Sequence, residues 1–312
     1  MTAPVLEDLD TYRGQLTGYC YRMLGCGAEA QDAVQETMVK AWRHAGDFEG
    51  RSSQRTWLYR IATNVCLDML RSRGRRAQPM DLGPASTPTI ESLVAAGEGE
   101  RWVLPVPTDA LDPAEVTSQR EDVRLAFIAA LQHLPPRQRA VLILAEVLRF
   151  SAAEIATLLE TSTASVNSAL QRARATMAAR ARPEPAALTP DLAGLLARYV
   201  AAFERYDVEA LVALLREDAV MNMPPYALWL QGPADIAAWL TGPGHECAGS
   251  RLVETSANGQ VAYGQYRVDP AGGYTPWALV VPEVGGDRIS CLTYFLDTAS
   301  LFPAFGLPSR LA

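Results

Sequence analysis

SAAEIATLLETSTASVNSALQRAR, residues 151–174, decides how this chain is read. Ser151 and Glu154 have the spacing of a capping box, in which each side chain satisfies the other residue's free backbone N–H. Ile155, Leu158 and Leu159 form the inward face of the short helix that follows. Thr161-Ser162-Thr163 supplies a turn whose hydroxyls can cap a second helix. That helix buries Val166, Leu170, Ala173 and Met177. It turns Asn167, Ser168, Gln171 and Arg172 outward, with Ser165 and Arg174 at the edges. Short polar, amide and guanidinium groups on one face suit base edges in a major groove. The pattern is a helix–turn–helix; the plainer alternative is a helical hairpin with a solvated face. Upstream, Val123–Leu134 reads as one amphipathic helix, and Pro135-Pro136 starts another that carries Val141, Leu142, Ile143 and Leu144.

The first 76 residues also read as helical. Ala30, Ala33, Val34, Thr37, Met38 and Ala41 recur at helical spacing, and the opposite face carries Gln31, Asp32, Gln35, Glu36, Lys40 and Arg43. A turn over 47–53 precedes a helix over Gln54–Arg71, which buries Leu58, Ile61, Ala62, Val65 and Met69. Its other stripe is Trp57, Arg60, Asn64, Leu67, Arg71. Trp and Asn in line with two Arg suit base stacking, base-edge bonds and phosphate contact. A core tryptophan beside a solvated face is the competing reading. Arg71, Arg73, Arg75 and Arg76 place four guanidinium groups within six positions.

The 312 residues carry 28 basic and 35 acidic side chains, and 49% are hydrophobic. That composition excludes wholesale disorder and a fibrous chain. The net charge of −7 is unevenly spread: +2 over 1–76, −6 over 77–118, +4 over 119–182 and −7 over 183–312. Nucleic-acid binding follows local charge, so two basic modules around an acidic connector outweigh the global sign. Residues 77–118, with six prolines, read as a linker, and Arg182-Pro183-Glu184-Pro185 marks a second boundary. Five cysteines without a C-x-x-C pair argue against a disulfide framework or a zinc site. No apolar run approaches the ~18 residues of a membrane helix and no leader opens the chain, so a cytoplasmic protein without membrane contact is expected.

These motifs together resemble bacterial sigma factors of the extracytoplasmic-function group over residues 1–182. Asp32-Ala33-Val34-Gln35-Glu36-Thr37 with Ala41-Trp42-Arg43 is similar to the segment that grips the polymerase clamp. Phe48-Glu49-Gly50-Arg51-Ser52-Ser53 and Arg55–Asn64 are similar to the promoter-opening signature. Leu134-Pro135-Pro136-Arg137-Gln138-Arg139 and Ala169–Arg174 are similar to the module that reads the minus-35 element. The resemblance implies core RNA polymerase and promoter DNA as partners, with no cofactor, metal or catalytic residue. Polymerase binding then falls to Asp32, Gln35, Glu36, Thr37 and Trp42. Minus-10 contacts fall to Phe48, Arg51, Ser52, Ser53, Trp57, Arg60, Asn64, Arg71, Arg73, Arg75 and Arg76, and minus-35 contacts to Ser165, Asn167, Ser168, Gln171, Arg172 and Arg174. Alternatives are a helix–turn–helix regulator that works without polymerase, and a cyclase-like enzyme on a DNA tether.

Ordinary members of that group stop near residue 180. Here Thr189–Arg205, Val208–Glu217 and Ala234–Leu240 read as helices, and Arg251–Ser256, Val261–Val268, Trp277–Pro282 and Ile289–Leu296 as strands. Helices followed by a sheet resemble the cone-shaped NTF2 and SnoaL-like folds. The expected fold is thus multidomain: two all-α domains, 1–76 and 119–182, the second with a helix–turn–helix, then an α+β cone over 183–312. Met223–Gly232 and Trp102–Asp109 resemble the sigma subgroup carrying such a tail, which implies regulation through contact between tail and sigma domains, in place of a separate anti-sigma protein. Met223, Tyr226, Trp229, Trp239, Trp277 and Tyr294 are candidates to line a ligand pocket, or simply an aromatic core. His245, Glu254 and Asp297 are the acid/base groups available, and no spacing joins them.

Overall fold

The computed structural model describes residues 9–48, 50, 52–71, 75–95, 101–113, 124–180 and 191–312. The chain separates into a helical unit (1–76 with 101–181) and a sheet unit (77–100 with 182–312).

In the helical unit α1 (Arg13–Leu24), α2 (Gly27–Arg43) and α3 (Gln54–Arg71) pack as a bundle. Leu16, Tyr19, Cys20 and Met23 of α1 are sealed against Ala30, Ala33 and Val34 of α2 and Leu58, Ala62 and Val65 of α3. Each large apolar side chain so buried contributes roughly 1.5–3 kcal/mol. Tyr19 shares a hydrogen bond of 2.7 Å with Thr63 Oγ1, and burial pushes its phenol well above the ordinary value. Gly25 ends α1 at φ +69°, its N–H donating to Tyr21 O at 2.7 Å, a left-handed cap that favours glycine.

Residues 101–113, expected as linker, fold onto this bundle as a strap. Val103, Val106 and Leu111 are buried. Leu104 N–H donates to Gly25 O at 2.9 Å, and Tyr21 Oη–H donates to Leu104 O at 3.0 Å. A Cβ on Gly27 would stand 2.8 Å from Pro105 O, so the strap's approach needs glycine there. Two short strands, β1 (Arg76–Ala77) and β2 (Arg101–Trp102), pair with each other, β2 opening the strap.

Next come α4 (Leu125–Gln132) and α5 (Pro136–Leu142), which runs into a π turn over Ile143–Val147, then α6 (Ala152–Leu158) and α7 (Thr163–Arg180). Arg139 of α5 is 3% exposed. It donates to Gln132 Oε1 at 2.6 Å, to the carbonyls of Gln132 and Leu134 at 3.1 Å, and to Met23 O at the end of α1. Desolvation lowers its pKa to about 10, so it stays charged at neutral pH. Arg55 of α3 lies 4.3 Å over the Phe150 ring and donates to Leu148 O at 3.1 Å. These contacts tie the first helical bundle to the helix–turn–helix.

The sheet unit holds α8 (Leu192–Arg205), α9 (Val208–Ala213), β3 (Leu215–Asn222), β4 (Trp229–Gln231), α10 (Gly232–Thr241), β5 (Arg251–Ala257), β6 (Gln260–Val268), β7 (Tyr274–Gly285), β8 (Arg288–Phe295) and α11 (Thr298–Ala304). The strand order is β4-β3-β8-β7-β6-β5, with β3 and β8 parallel and the other neighbours antiparallel. The helix expected to reach Glu217 ends at Ala213, and Leu215 starts a strand. The charged run Arg216-Glu217-Asp218 sits where the register with β8 shifts between Leu215 and Val220, a bulge that accommodates it without breaking the strand. The core joins Leu195, Tyr199 and Phe203 of α8 and Ile236 and Trp239 of α10 to Met221, Leu230, Val280 and Leu292 of the sheet.

Candidate nucleic-acid interface

On α2, Asp32, Gln35 and Glu36 are exposed, and Trp42 is 75% exposed at the helix end. Glu36 pairs with Lys40 at 2.7 Å. Thr37 is different: it is fully buried, and its Oγ1–H donates back to Ala33 O at 2.7 Å. Its position on the apolar stripe, quoted above, explains that, and it offers no surface to a partner. A groove of about 740 Å³ borders α2, lined by Thr17, Gln31 and Gln35 and by Asp109 and Asp112 of the strap.

Ser53 starts α3: its Oγ accepts from Thr56 N–H at 3.1 Å and shares a bond of 2.8 Å with Thr56 Oγ1. Ser52 beside it donates to Ser53 O at 3.4 Å. Phe48 packs on Trp57 with ring centroids 5.1 Å apart, which holds the indole on the helix surface. Trp57, Arg60, Asn64 and Arg71 then share one face; Trp57 is half-buried, and the others are exposed. Arg60 pairs with Glu160 at 2.8 Å, Arg71 with Asp68 at 2.8 Å, and Arg75 meets His133 Nδ1 at 2.6 Å. Arg51 and Arg73 lie outside the described residues. Arg76 departs from expectation. It is 7% exposed, pairs with Glu29 at 2.8 Å and donates to Trp102 O at 2.6 Å. Its guanidinium secures the strap, alongside Arg101 on the same carboxylate, and is unavailable to phosphate.

The helix–turn–helix forms as its caps require. Ser151 Oγ accepts from Glu154 N–H, and the Glu154 carboxylate accepts from Ser151 Oγ–H at 2.7 Å and from Ser151 N–H at 2.8 Å; the hydroxyl bond first and the N–H bond second hold that carboxyl below its ordinary range. Ser162 Oγ caps α7, accepting from Ser165 N–H at 3.1 Å. Ser165, Asn167, Ser168, Gln171, Arg172 and Arg174 are all exposed on α7. Arg172 donates to Ser168 Oγ at 2.6 Å, and Arg174 to Glu146 at 2.9 Å.

Sequence reasoning missed Glu160, which stands at φ +52° in the turn between α6 and α7 and neutralises Arg60. No local signal could have found a partner 100 positions away. Glu160→Gln is expected to strengthen binding of a promoter fragment two- to fivefold in fluorescence anisotropy, because a half-exposed pair is worth at most ~1 kcal/mol. Unchanged affinity would show that Glu160 does not compete with DNA for Arg60.

In the sheet unit Met223, Trp239 and Tyr294 are buried in one apolar cluster, with Tyr226 and Trp277 packed against it. Tyr294 Oη lies 3.4 Å from Tyr199 Oη, and burial pushes both phenols up. Arg267 stacks on Trp277 at 4.1 Å. Trp229 instead donates from its indole to Gly83 O at 3.0 Å. His245 is exposed with its ring on Tyr206, Glu254 is exposed on β5, and Asp297 caps α11 by accepting from Ser300 N–H at 3.3 Å. The three stand on separate elements with separate duties. Among the described residues no group of three or more His, Cys, Asp or Glu side chains is placed to hold a metal, and no helix is long and apolar enough to cross a membrane.

Comparison with known proteins follows the same division. Sigma-70 region 2 matches residues 9–76, Sigma-70 region 4 matches 124–177, and a SnoaL-like domain matches 196–290. The ECF RNA polymerase sigma factor SigG of Mycobacterium tuberculosis is 45% identical over 312 residues, covering 97% of this chain and 83% of that protein. The RNA polymerase sigma-H factor of Pseudomonas aeruginosa is 31% identical over 163 residues, 52% of this chain and 78% of that one. The crystal structure of Mycobacterium tuberculosis extracytoplasmic function sigma factor SigJ shares the fold, with a TM-score of 0.65 at 22% identity over 96% of this chain and 98% of that one. The chain therefore belongs to the extracytoplasmic-function (ECF) RNA polymerase sigma factors and carries a SnoaL-like domain behind regions 2 and 4.

Proposed function

We propose that the exposed side of α2 (Asp32, Gln35, Glu36, Trp42) docks on core polymerase and that the Trp57-Arg60-Asn64-Arg71 face of α3 receives the melted minus-10 strand. Phe48, Ser52 and Ser53 border the site where a flipped base is taken up. Stacking and edge bonds offset the few kcal/mol that unstacking costs, so no nucleotide hydrolysis is required. Arg75 supplies a phosphate contact, and Asn167, Ser168, Gln171, Arg172 and Arg174 read the minus-35 duplex. The carrying observation is that stacking, amide and guanidinium groups share one helix face, half-buried at Trp57 and exposed at Arg60, Asn64 and Arg71, in a unit that also holds a helix–turn–helix. The SnoaL-like domain regulates these modules in cis, without catalysing a reaction, in the cytoplasm where polymerase works.

Run-off transcription with purified core polymerase on a promoter library tests this. Initiation from a defined subset of promoters is expected; uniform or absent initiation would contradict the role. Deleting residues 183–312 is expected to change that activity, and equal output with and without the tail would contradict regulation in cis. Trp42→Ala is expected to weaken core binding tenfold or more, as truncating an exposed aromatic anchor costs ~2 kcal/mol or more at an interface. The melting temperature should not move, since this side chain is not in the core.

A further inference from the structure

Four of the described residues other than glycine stand at positive φ, and two of them, Arg149 (φ +60°) and Glu160 (φ +52°), bracket α6, the first helix of the helix–turn–helix. A Cβ disfavours that region, so a side chain kept there points to a constraint or a use. Glu160 has a use, since it meets Arg60. For Arg149 the backbone constraint is plain. Phe150 N–H donates to Leu144 O at 2.9 Å and Leu148 N–H to Ile143 O at 3.0 Å. These bonds close the π turn through a left-handed residue, a place that glycine takes most easily. Leu148 and Phe150 are buried on either side, Phe150 edge-on to Tyr59 with ring centroids 5.4 Å apart. Arg149, between two anchored neighbours, is exposed.

Its guanidinium has no partner among the described residues. Residues 124–180 contain three carboxylates, and each is engaged elsewhere: Glu146 by Arg174, Glu154 by Ser151 and Glu160 by Arg60. The two arginines on the outward face of α7 are tied as well, Arg172 to Ser168 and Arg174 to Glu146. Arg149 is therefore an unmatched positive charge, held at a costly backbone position. It stands on the turn that enters the helix which, in this motif, crosses the nucleic-acid backbone. A phosphate oxygen is the partner such a group fits, because it asks for charge and reach without the fixed geometry of a base edge.

We propose that Arg149 contacts a backbone phosphate of the minus-35 duplex, outside the base pairs that α7 reads. It is a positioning residue: it holds the module on the duplex and carries no sequence information itself. This rests on the promoter-specificity role and adds to it a contact that the outward face of α7 does not contain.

Holoenzyme made from the full chain and purified core polymerase, titrated onto a promoter fragment at several salt concentrations, tests it. Arg149→Gly suits the left-handed backbone, so its melting temperature is expected to equal or exceed the parent's. Its affinity for the fragment is expected to fall at least about threefold, and the slope of log K against log salt to become shallower by about 0.9, the share of one phosphate. Arg149→Lys keeps the charge and is expected to keep the parent's slope. Replacing single phosphates by neutral methylphosphonates locates the contact. One such replacement is expected to weaken the parent and to leave Arg149→Gly unaffected. An unchanged affinity and slope in Arg149→Gly would overturn the contact, and a lowered melting temperature would make the residue structural instead. A changed preference among minus-35 sequences would make it a base reader and overturn the phosphate assignment. Parent holoenzyme that binds fragments with and without a minus-35 element equally would overturn the minus-35 reading itself, which is a separate outcome.

Discussion

Arg139→Met is expected to lower the stability of the helical unit by about 3–5 kcal/mol, the cost of removing one partner from a buried charged network. The guanidinium is 3% exposed and serves four acceptors, Met23 O, Gln132 Oε1, Gln132 O and Leu134 O. Methionine fills part of the volume and leaves those acceptors without a donor, each a loss of ~1–3 kcal/mol, offset by no longer burying a charge. Arg139→Lys is expected to recover only part of the loss, because a single ammonium cannot reproduce the planar fork. Calorimetry should show the transition of the helical unit falling by roughly 6–20 °C. The transition of the sheet unit should stay in place, since Arg139 has no part in its core. A fall under ~1 kcal/mol would mean that water replaces the guanidinium without loss, and that Arg139 is not what fastens α5 to the end of α1.

The second large effect is on promoter opening. Asn64→Ala combined with Trp57→Ala is expected to reduce open-complex formation about 30-fold or more, with core binding unchanged. A stacked base is worth ~1–3 kcal/mol and a good edge contact about as much. Asn64 is exposed, so its loss leaves the fold alone. Trp57 also supports Phe48, so circular dichroism of the double variant must match the parent before rates are compared. A pre-melted minus-10 bubble should leave a deficit of similar size, because the strand is still captured by the same face. Full rescue by the bubble would place Trp57 and Asn64 in strand separation alone.

The two effects also mark what a linear chain reveals. α3 runs over Gln54–Arg71 as its periodicity indicates, and the capping box at Ser151 and Glu154 forms as spaced, because both depend on neighbours three or four positions apart. Arg139 stands in plain view within Pro135-Pro136-Arg137-Gln138-Arg139, yet its acceptor on α1, Met23 O, lies 116 positions away, beyond any periodic signal. Arg76 belongs to a run of four arginines within six positions and turns inward, because Glu29 and Trp102 O bind it. Thr37 lay on the apolar stripe and follows it into the core. The connector's prolines mark irregular backbone, and irregular backbone can still be bound, in one part by α1 and α2 and in another by a sheet edge. For β3, three consecutive charges imitate a helix end, and only the pairing with β8 turns them into a bulge.

Permanganate footprinting of the non-template minus-10 thymines probes the central claim most directly. DNA would be incubated with core polymerase alone, with this chain alone, and with both together. Reactive thymines only in the combined sample, and their disappearance with Asn64→Ala, are the expected result. Thymines that react with the chain alone, or that stay protected in the combined sample on every promoter it binds, would contradict it.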